Sequence, residues 1–169
     1  APVAATNAPA VTTTAPAATP TTTTAAAAPA AGSSSWVATD ASTVGYRVEE
    51  VLFGVDTTAV GRTNQVTGTL TIEGTQVTTT EFVIDVGSIT SDESKRDGQF
   101  RGRIMSADEF PTASFVLTQP IELGAEPDEG VDVAAGATGD LTLRGVTKTV
   151  TFDVIAKRAN GLIGVQGSI

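Results

Sequence analysis

The chain has 169 residues, a formal net charge of −9 at pH 7, and neither cysteine nor histidine. Without cysteine there are no disulfides, thiolate metal sites or cysteine nucleophile, and without histidine there is no imidazole base or Ser-His-Asp triad. Because an acidic chain with no basic run repels phosphate backbones, nucleic acid is not expected as a partner. An anionic membrane would be repelled too, so a lipid ligand would have to be drawn in by apolar burial.

Residues 1–35 are mostly Ala, Thr and Pro, with no charged and no aromatic residue. This composition cannot bury enough apolar surface to offset the entropy of ordering the backbone, so it predicts a disordered linker. The chain begins with Ala1 and not Met, which is consistent with removal of a leader or a membrane anchor upstream of residue 1. We therefore expect a tether that holds a secreted, periplasmic or cell-surface domain away from a surface.

Residues 36–169 are enough for one domain of ordinary size and contain every charged residue of the chain. Seven segments alternate apolar and polar residues with the period of two that is typical of half-buried strands. Asn160-Gly161, between the last two, is a strong hairpin signal because both residues tolerate a positive φ. The predicted strands lie near Thr43–Phe53, Ala59–Glu73, Gln76–Ser88, Thr112–Glu122, Val131–Arg144, Val146–Lys157 and Leu162–Ile169.

One segment, residues 91–105, is typical of a short helix. Ser91 stands where a capping residue would, acidic residues follow it, and Phe100 and Ile104 lie four residues apart. Two glycines inside the segment each weaken a helix by roughly 1 kcal/mol. We therefore predict a helical excursion whose apolar stripe covers the sheet.

Three separated motifs carry the most specific signal in the chain. Residues 138–150, Thr-Gly-Asp-Leu-Thr-Leu-Arg-Gly-Val-Thr-Lys-Thr-Val, indicate a hairpin that turns at Gly145. Arg96-Asp97 precedes the stretch 106–115, Ser-Ala-Asp-Glu-Phe-Pro-Thr-Ala-Ser-Phe, and upstream lie Val-Gly-Tyr-Arg-Val at 44–48 and Val-Thr-Gly-Thr-Leu at 66–70. In this order the motifs resemble the YceI-like family of bacterial lipid-binding proteins, from about Trp36 to Ile169.

The resemblance implies an all-β fold, an antiparallel up-and-down β-barrel that is lipocalin-like and encloses an apolar pore. It also implies binding of a polyisoprenoid. The family generally has eight strands, whereas seven are predicted here and the chain stops inside Leu162–Ile169. We therefore expect the closing strand to be missing, leaving Leu162–Ile169 and Thr43–Phe53 as unpaired edges.

The alternation supplies a candidate wall for a lipid tail, although inward positions of a small barrel are also ordinary core. The densest cationic cluster, Arg96, Arg101 and Arg103, is a candidate site for a lipid head group. The plainer interpretation of that cluster is a solvated helix face. The predicted lining residues are Phe82, Ile84, Phe115, Leu117, Leu141, Leu143, Phe152 and Val154.

No residue pattern points to catalysis, a metal or a cofactor, so we predict a binding protein and not an enzyme. Glu49 and Glu50 are adjacent in a strand and point to opposite faces, and Asp92 and Glu93 suit the start of a helix. Glu50 stands where relatives often carry histidine, so no role carries over to it. The alternative function is a ligand-free β module, with a filled core, that acts as an interaction or stress-related domain. The sequence does not fix the oligomeric state.

Overall fold

The computed structural model describes residues 32–52, 54–124 and 128–169, which are mostly antiparallel strand. Residues 1–31 of the predicted linker lie outside the described residues. Among those described, no helix has both the length and the apolar character needed to cross a bilayer. The strands are β1 (Ser33–Val37), β2 (Val44–Leu52), β3 (Val55–Thr63), β4 (Val66–Glu73), β5 (Gln76–Asp85), β6 (Thr112–Leu117), β7 (Ile121–Glu122), β8 (Asp132–Leu143), β9 (Val146–Ala159) and β10 (Leu162–Gly167).

The strands form one large sheet and one separate hairpin. The order in the large sheet is β1-β4-β5-β6-β8-β9-β10, and the short β7 pairs with β5 beyond the end of β6. The sheet is strongly curled into a half-barrel, which agrees with the predicted antiparallel fold class. The second predicted edge strand, near Thr43–Phe53, is an edge of the two-stranded sheet and not of the large one. In the large sheet the second edge is β1, opposite β10, and within the described part of the chain β2 pairs with β3 alone.

Two predicted strands are each broken in the structure. The predicted Ala59–Glu73 is interrupted at Asn64-Gln65, where the Gln65 amide donates to the Thr63 hydroxyl at 2.9 Å and the chain turns from β3 into β4. The predicted Thr112–Glu122 breaks before Ile121 because Pro120 has no N–H to continue the ladder. Apolar positions resume in step after each break, so the polar stretches at residues 62–65 and 118–119 are readily taken for part of one strand.

The first strand of the large sheet was not predicted. Ser33, Ser34 and Ser35, assigned from composition to the linker, belong to β1, which pairs antiparallel with β4. Trp36 lies opposite Leu70 and is half-buried. Serine has little intrinsic preference for strands, so β1 is fixed by its partner β4 and not by its own sequence.

The helical excursion is confirmed, with two corrections. It consists of α1 (Ser94–Gln99) and a wider π-helical turn over Phe100–Ile104. The capping residue is Glu93, whose carboxylate accepts from the Lys95 amide at 3.1 Å, and not Ser91. The apolar stripe is also shorter than predicted, since Phe100 packs on the sheet whereas Ile104 is exposed.

Two apolar clusters line the inner side of the half-barrel. Ile84, Val86 and Ala113 form one cluster, which Phe100 and Met105 of the helical segment cover. The other centres on Val77, Ile121 and Ala137. The helical segment therefore covers only one end of the inner surface.

Candidate ligand-binding face

All eight predicted lining residues lie on one face of the large sheet, its inner or concave face. Directly opposite residues in neighbouring strands share a face, as do residues two apart in one strand. Phe82 of β5 lies opposite Phe115 of β6, which lies opposite Leu141 of β8. The same register adds the rest of the set: Ile84, Leu117, Leu143, Phe152 and Val154.

Burial decreases across this face, from β5 towards the β8–β9 hairpin. Ile84 is buried beneath the helical segment, and most of the other members are half-buried. Leu143, next to the β8–β9 turn, keeps 41 % of its surface exposed. The concave face therefore has an open side near that turn.

Aromatic rings fill much of the space in front of the sheet by lying on glycines of neighbouring strands. The Phe82 ring covers Gly68, and the Phe115 ring covers Gly139 so closely that no Cβ would fit there. Phe115 also meets Phe152 edge-to-face, with ring centroids 5.4 Å apart. The pairing of rings with glycines explains why glycine stands at inward positions of β4 and β8.

An apolar cavity of about 40 Å³ lies on the same face, towards the end of the sheet that the helical segment leaves uncovered. Drug-sized ligands occupy pockets of roughly 300–1,000 Å³, so this cavity is too small for a lipid tail unless side chains move. None of the eight predicted residues contacts it. Its walls are formed by Leu70, Ile72, Val77, Leu123, Val133, Ala156, Lys157, Arg158, Ile163 and Val165.

These cavity residues were missed because their sequence signal is weak. Leu70 and Ile72 alternate only briefly in β4, and a bulge between Thr71 and Ile72 shifts the register towards Val77. Ile163 and Val165 alternate with Gly164 and Gln166 in a six-residue strand. Comparing the apolar positions on both sides of the Asn160-Gly161 turn would have placed Ile163 and Val165 opposite β9.

The predicted head-group cluster is not a set of free cations. Two carboxylates neutralise Arg96, which donates to Glu50 of β2 and to Asp92, both at 2.6 Å. The hydrogen bond to Glu50 is the main reason that the pKa of Arg96 is raised above its usual value. Arg101 donates to the Ile89 carbonyl at 3.4 Å. Arg96 therefore ties the β2–β3 hairpin to α1, and the head-group role of Arg101 and the exposed Arg103 stays a prediction.

Asp97, the second residue of the Arg-Asp motif, is buried inside the helical segment. Its carboxylate accepts from the Ser91 amide at 2.8 Å and from the Ser91 hydroxyl at 2.7 Å. These hydrogen bonds, chiefly that from the hydroxyl, hold the pKa of Asp97 below its usual value although burial opposes the shift. Asp97 thus fixes the loop before α1 and does not face the apolar surface.

The β8–β9 turn brings two of the sequence motifs into contact. Arg144 and Gly145, the two central residues, have φ values of 49° and 70°, which defines a type I′ turn. A Cβ placed on Gly145 would lie 2.6 Å from Cε1 of Phe110, so the ring of the Phe-Pro motif rests on the turn. The Arg144 guanidinium donates to the Ile104 carbonyl at 3.2 Å. The hairpin turn is thereby attached to the end of the helical segment.

The strongly curled antiparallel sheet with its apolar inner face defines an antiparallel β half-barrel. The model of one family, the YceI-like domain, matches residues 36–169. The chain belongs to the YceI-like family.

Curated relatives include a UPF0312 protein of Vibrio vulnificus (strain YJ016), 34% identical over 95 residues, which are 54% of this chain and 47% of that protein. A UPF0312 protein of Vibrio campbellii (strain ATCC BAA-1116) is 30% identical over 96 residues, 55% of this chain and 47% of that protein. The chain spans about half the length of the curated relatives it matches.

Two solved structures share the fold at 20% sequence identity. A polyisoprenoid binding domain from Saccharophagus degradans, implicated in plant cell wall breakdown, matches with a TM-score of 0.60 over 80% of this chain and 74% of its own. BcnA of Burkholderia cenocepacia matches with a TM-score of 0.59 over 77% of both chains.

Proposed function

We propose that this domain binds a long apolar chain, of polyisoprenoid or acyl type, against the concave face of its large sheet. One observation carries the proposal: all eight predicted lining residues lie on the same face of the sheet. They come from four neighbouring strands, β5, β6, β8 and β9. Each CH₂ of a ligand buried there would contribute roughly 0.8 kcal/mol. The family, and the polyisoprenoid binding named for the Saccharophagus degradans domain, support the same ligand class.

The proposed ligand enters from the exposed side of the face near Leu143. The existing cavity of about 40 Å³ is too small for a tail, so the chain lies along the open part of the face or displaces rings such as Phe115 and Phe152. A binding protein needs no catalytic group. Among the described residues no three Asp or Glu side chains come together to hold a metal ion.

A charge placed on the face tests the proposal. Leu143 is partly exposed, so the Leu143→Glu variant should fold. Its carboxylate would make burial of an apolar chain against the face costly. Ile155→Glu is the matched control, because Ile155 is 50 % exposed on the outer face of β9. With a fluorescent fatty-acyl probe in solution, we expect weaker binding by Leu143→Glu and unchanged binding by Ile155→Glu. Equal affinity in the two folded variants would contradict the proposal.

A second candidate function is a β module without a ligand. The small cavity and the rings that cover Gly68 and Gly139 favour it, since they fill the interior with the chain's own side chains. Native mass spectrometry of protein purified from its own host separates the candidates. Co-purification of a lipid-sized mass supports the carrier, and the bare protein mass supports the module.

We also propose that the domain works outside the cytoplasm, in the periplasm, at the cell surface or in the medium. The Ala-, Thr- and Pro-rich composition of residues 1–35, typical of an extracellular stalk, supports this placement. Fractionation of host cells, followed by immunodetection of the domain in each fraction, tests it.

A further inference from the structure

Exposed apolar and basic side chains occur together at the open side of the concave face, around the β8–β9 turn. Ile104 and Val146 are each 57 % exposed, and Leu143 is 41 % exposed. They come from three backbone segments: the π-helical turn, the start of β9 and the end of β8. Together with three basic residues beside them, they form what we call the rim. The rim consists of Ile104, Leu143 and Val146 with Arg103, Arg144 and Lys148.

The register and one hydrogen bond bring these residues together. Leu143 lies directly opposite Val146 across the turn. Lys148 lies opposite Leu141 and therefore shares the concave face with that pair. The bond from the Arg144 guanidinium to the Ile104 carbonyl, at 3.2 Å, holds the end of the π-helical turn beside the hairpin. Arg103 immediately precedes Ile104 and is exposed.

The charge of the rim differs in sign from that of the whole protein. Asp140 of β8 lies on the opposite face, where the Thr149 hydroxyl donates to its carboxylate at 2.6 Å. The neighbouring loop carries two exposed acids, Asp108 and Glu109. Three basic residues still exceed these two acids, although the chain as a whole has a formal charge of −9.

We propose that the rim docks on an anionic lipid membrane, with its apolar side chains in the headgroup region and its basic side chains on lipid phosphates. Single apolar side chains flanked by long flexible cations suit a lipid surface, which adapts to them without a shape match. The strong negative charge elsewhere turns the remaining surface away from the membrane, so electrostatics orient the docked domain. The benefit of docking rests on the proposed function, because docking places the open side of the concave face against a source of apolar chains.

Vesicle co-sedimentation tests the docking. The wild-type chain should bind vesicles of phosphatidylcholine mixed with phosphatidylglycerol, bind vesicles of phosphatidylcholine alone weakly, and be released by high salt. Val146→Asp and Lys148→Glu should each weaken binding to the mixed vesicles by roughly tenfold. Ile155→Asp, on the outer face of β9, and Lys95→Glu, exposed in the first turn of α1, are the matched controls and should bind like wild type.

Several outcomes would overturn the docking proposal: no binding of the wild type to mixed vesicles, or equal losses in rim and control variants. A dimer that light scattering detects and that Val146→Asp disperses, without vesicle binding, would make the rim a self-association surface instead. Binding of the fatty-acyl probe in solution is measured on the same proteins. Vesicle binding without probe binding would contradict only the proposed function, and the reverse result would contradict only the docking.

Discussion

At the residue scale, Asp97 shows how one hydrogen-bonded side chain organises a loop. The carboxylate is buried, and Ser91 supplies both a backbone and a side-chain donor to it. A buried carboxylate without such donors would be costly. The Arg-Asp pair in the sequence marks this position but not its role, because the sequence pattern assigns Ser91 to the helix cap.

The low pKa of Asp97 predicts a pH-dependent effect of Ser91→Ala. Because the folded-state pKa lies below the unfolded one, the ionised carboxylate stabilises the fold above its usual pKa, and this stability is lost as pH falls through the folded pKa. Thermal melts at several pH values should show wild type well above Ser91→Ala at pH 7, with the gap narrowing in acid. Ser94→Ala, an exposed neighbour, should show no such narrowing. A gap independent of pH would contradict the role of Asp97.

At the element scale, strand type was predictable from the sequence, whereas strand ends and pairing were not. Period-two alternation located β2, β5, β8, β9 and β10, because a half-buried sheet face imposes that pattern. The break between β3 and β4 depends on a local hydrogen bond from the Gln65 amide to Thr63, which alternation does not report. β1 depends on its partner β4.

The β8–β9 turn gives a prediction with an internal control. Gly145→Ala and Gly161→Ala both place a Cβ at positive φ, 70° and 72°, and each should lose roughly 1–2 kcal/mol of unfolding free energy for that reason. Only the Cβ at 145 would also meet the Phe110 ring, because nothing lies within 4 Å of a Cβ at 161. Urea denaturation should therefore show a larger loss for Gly145→Ala. Equal losses would mean that Phe110 shifts at no cost.

At the scale of the whole molecule, the sequence predicts the apolar face of the sheet but not how side chains fill the space in front of it. Alternation placed all eight lining residues on one side of the sheet, where the structure has them. The cavity depends on how far the sheet curls, which brings Leu70 towards Ile163 and is not visible in local sequence. Local sequence does not link Arg96 to Glu50, since that ion pair joins residues 46 positions apart.

The boundary of the folded domain predicts the effect of two deletions. A chain without residues 1–31 should melt at the wild-type temperature, because their composition offers little apolar surface to the domain. A chain without residues 1–37 loses β1, including Trp36 opposite Leu70, and should melt several degrees lower. Differential scanning calorimetry measures both. A large drop on the shorter deletion would show that the Ala/Thr/Pro-rich segment contributes to the fold.

The β8–β9 hairpin also has a consequence for the order in which the chain folds. Twelve paired positions, from Asp132↔Lys157 to Leu143↔Val146, are closed by a two-residue turn, so this unit requires almost no loop closure. Hairpins form within about 1–10 μs, whereas pairings between distant segments, such as β1 with β4, are slower. The β2–β3 and β4–β5 hairpins are also closed by two-residue turns and leave the ribosome before the β8–β9 hairpin. Pairing can therefore proceed hairpin by hairpin as the chain is made, and the contact of β1 with β4 has to wait until the intervening β2–β3 hairpin has been synthesised.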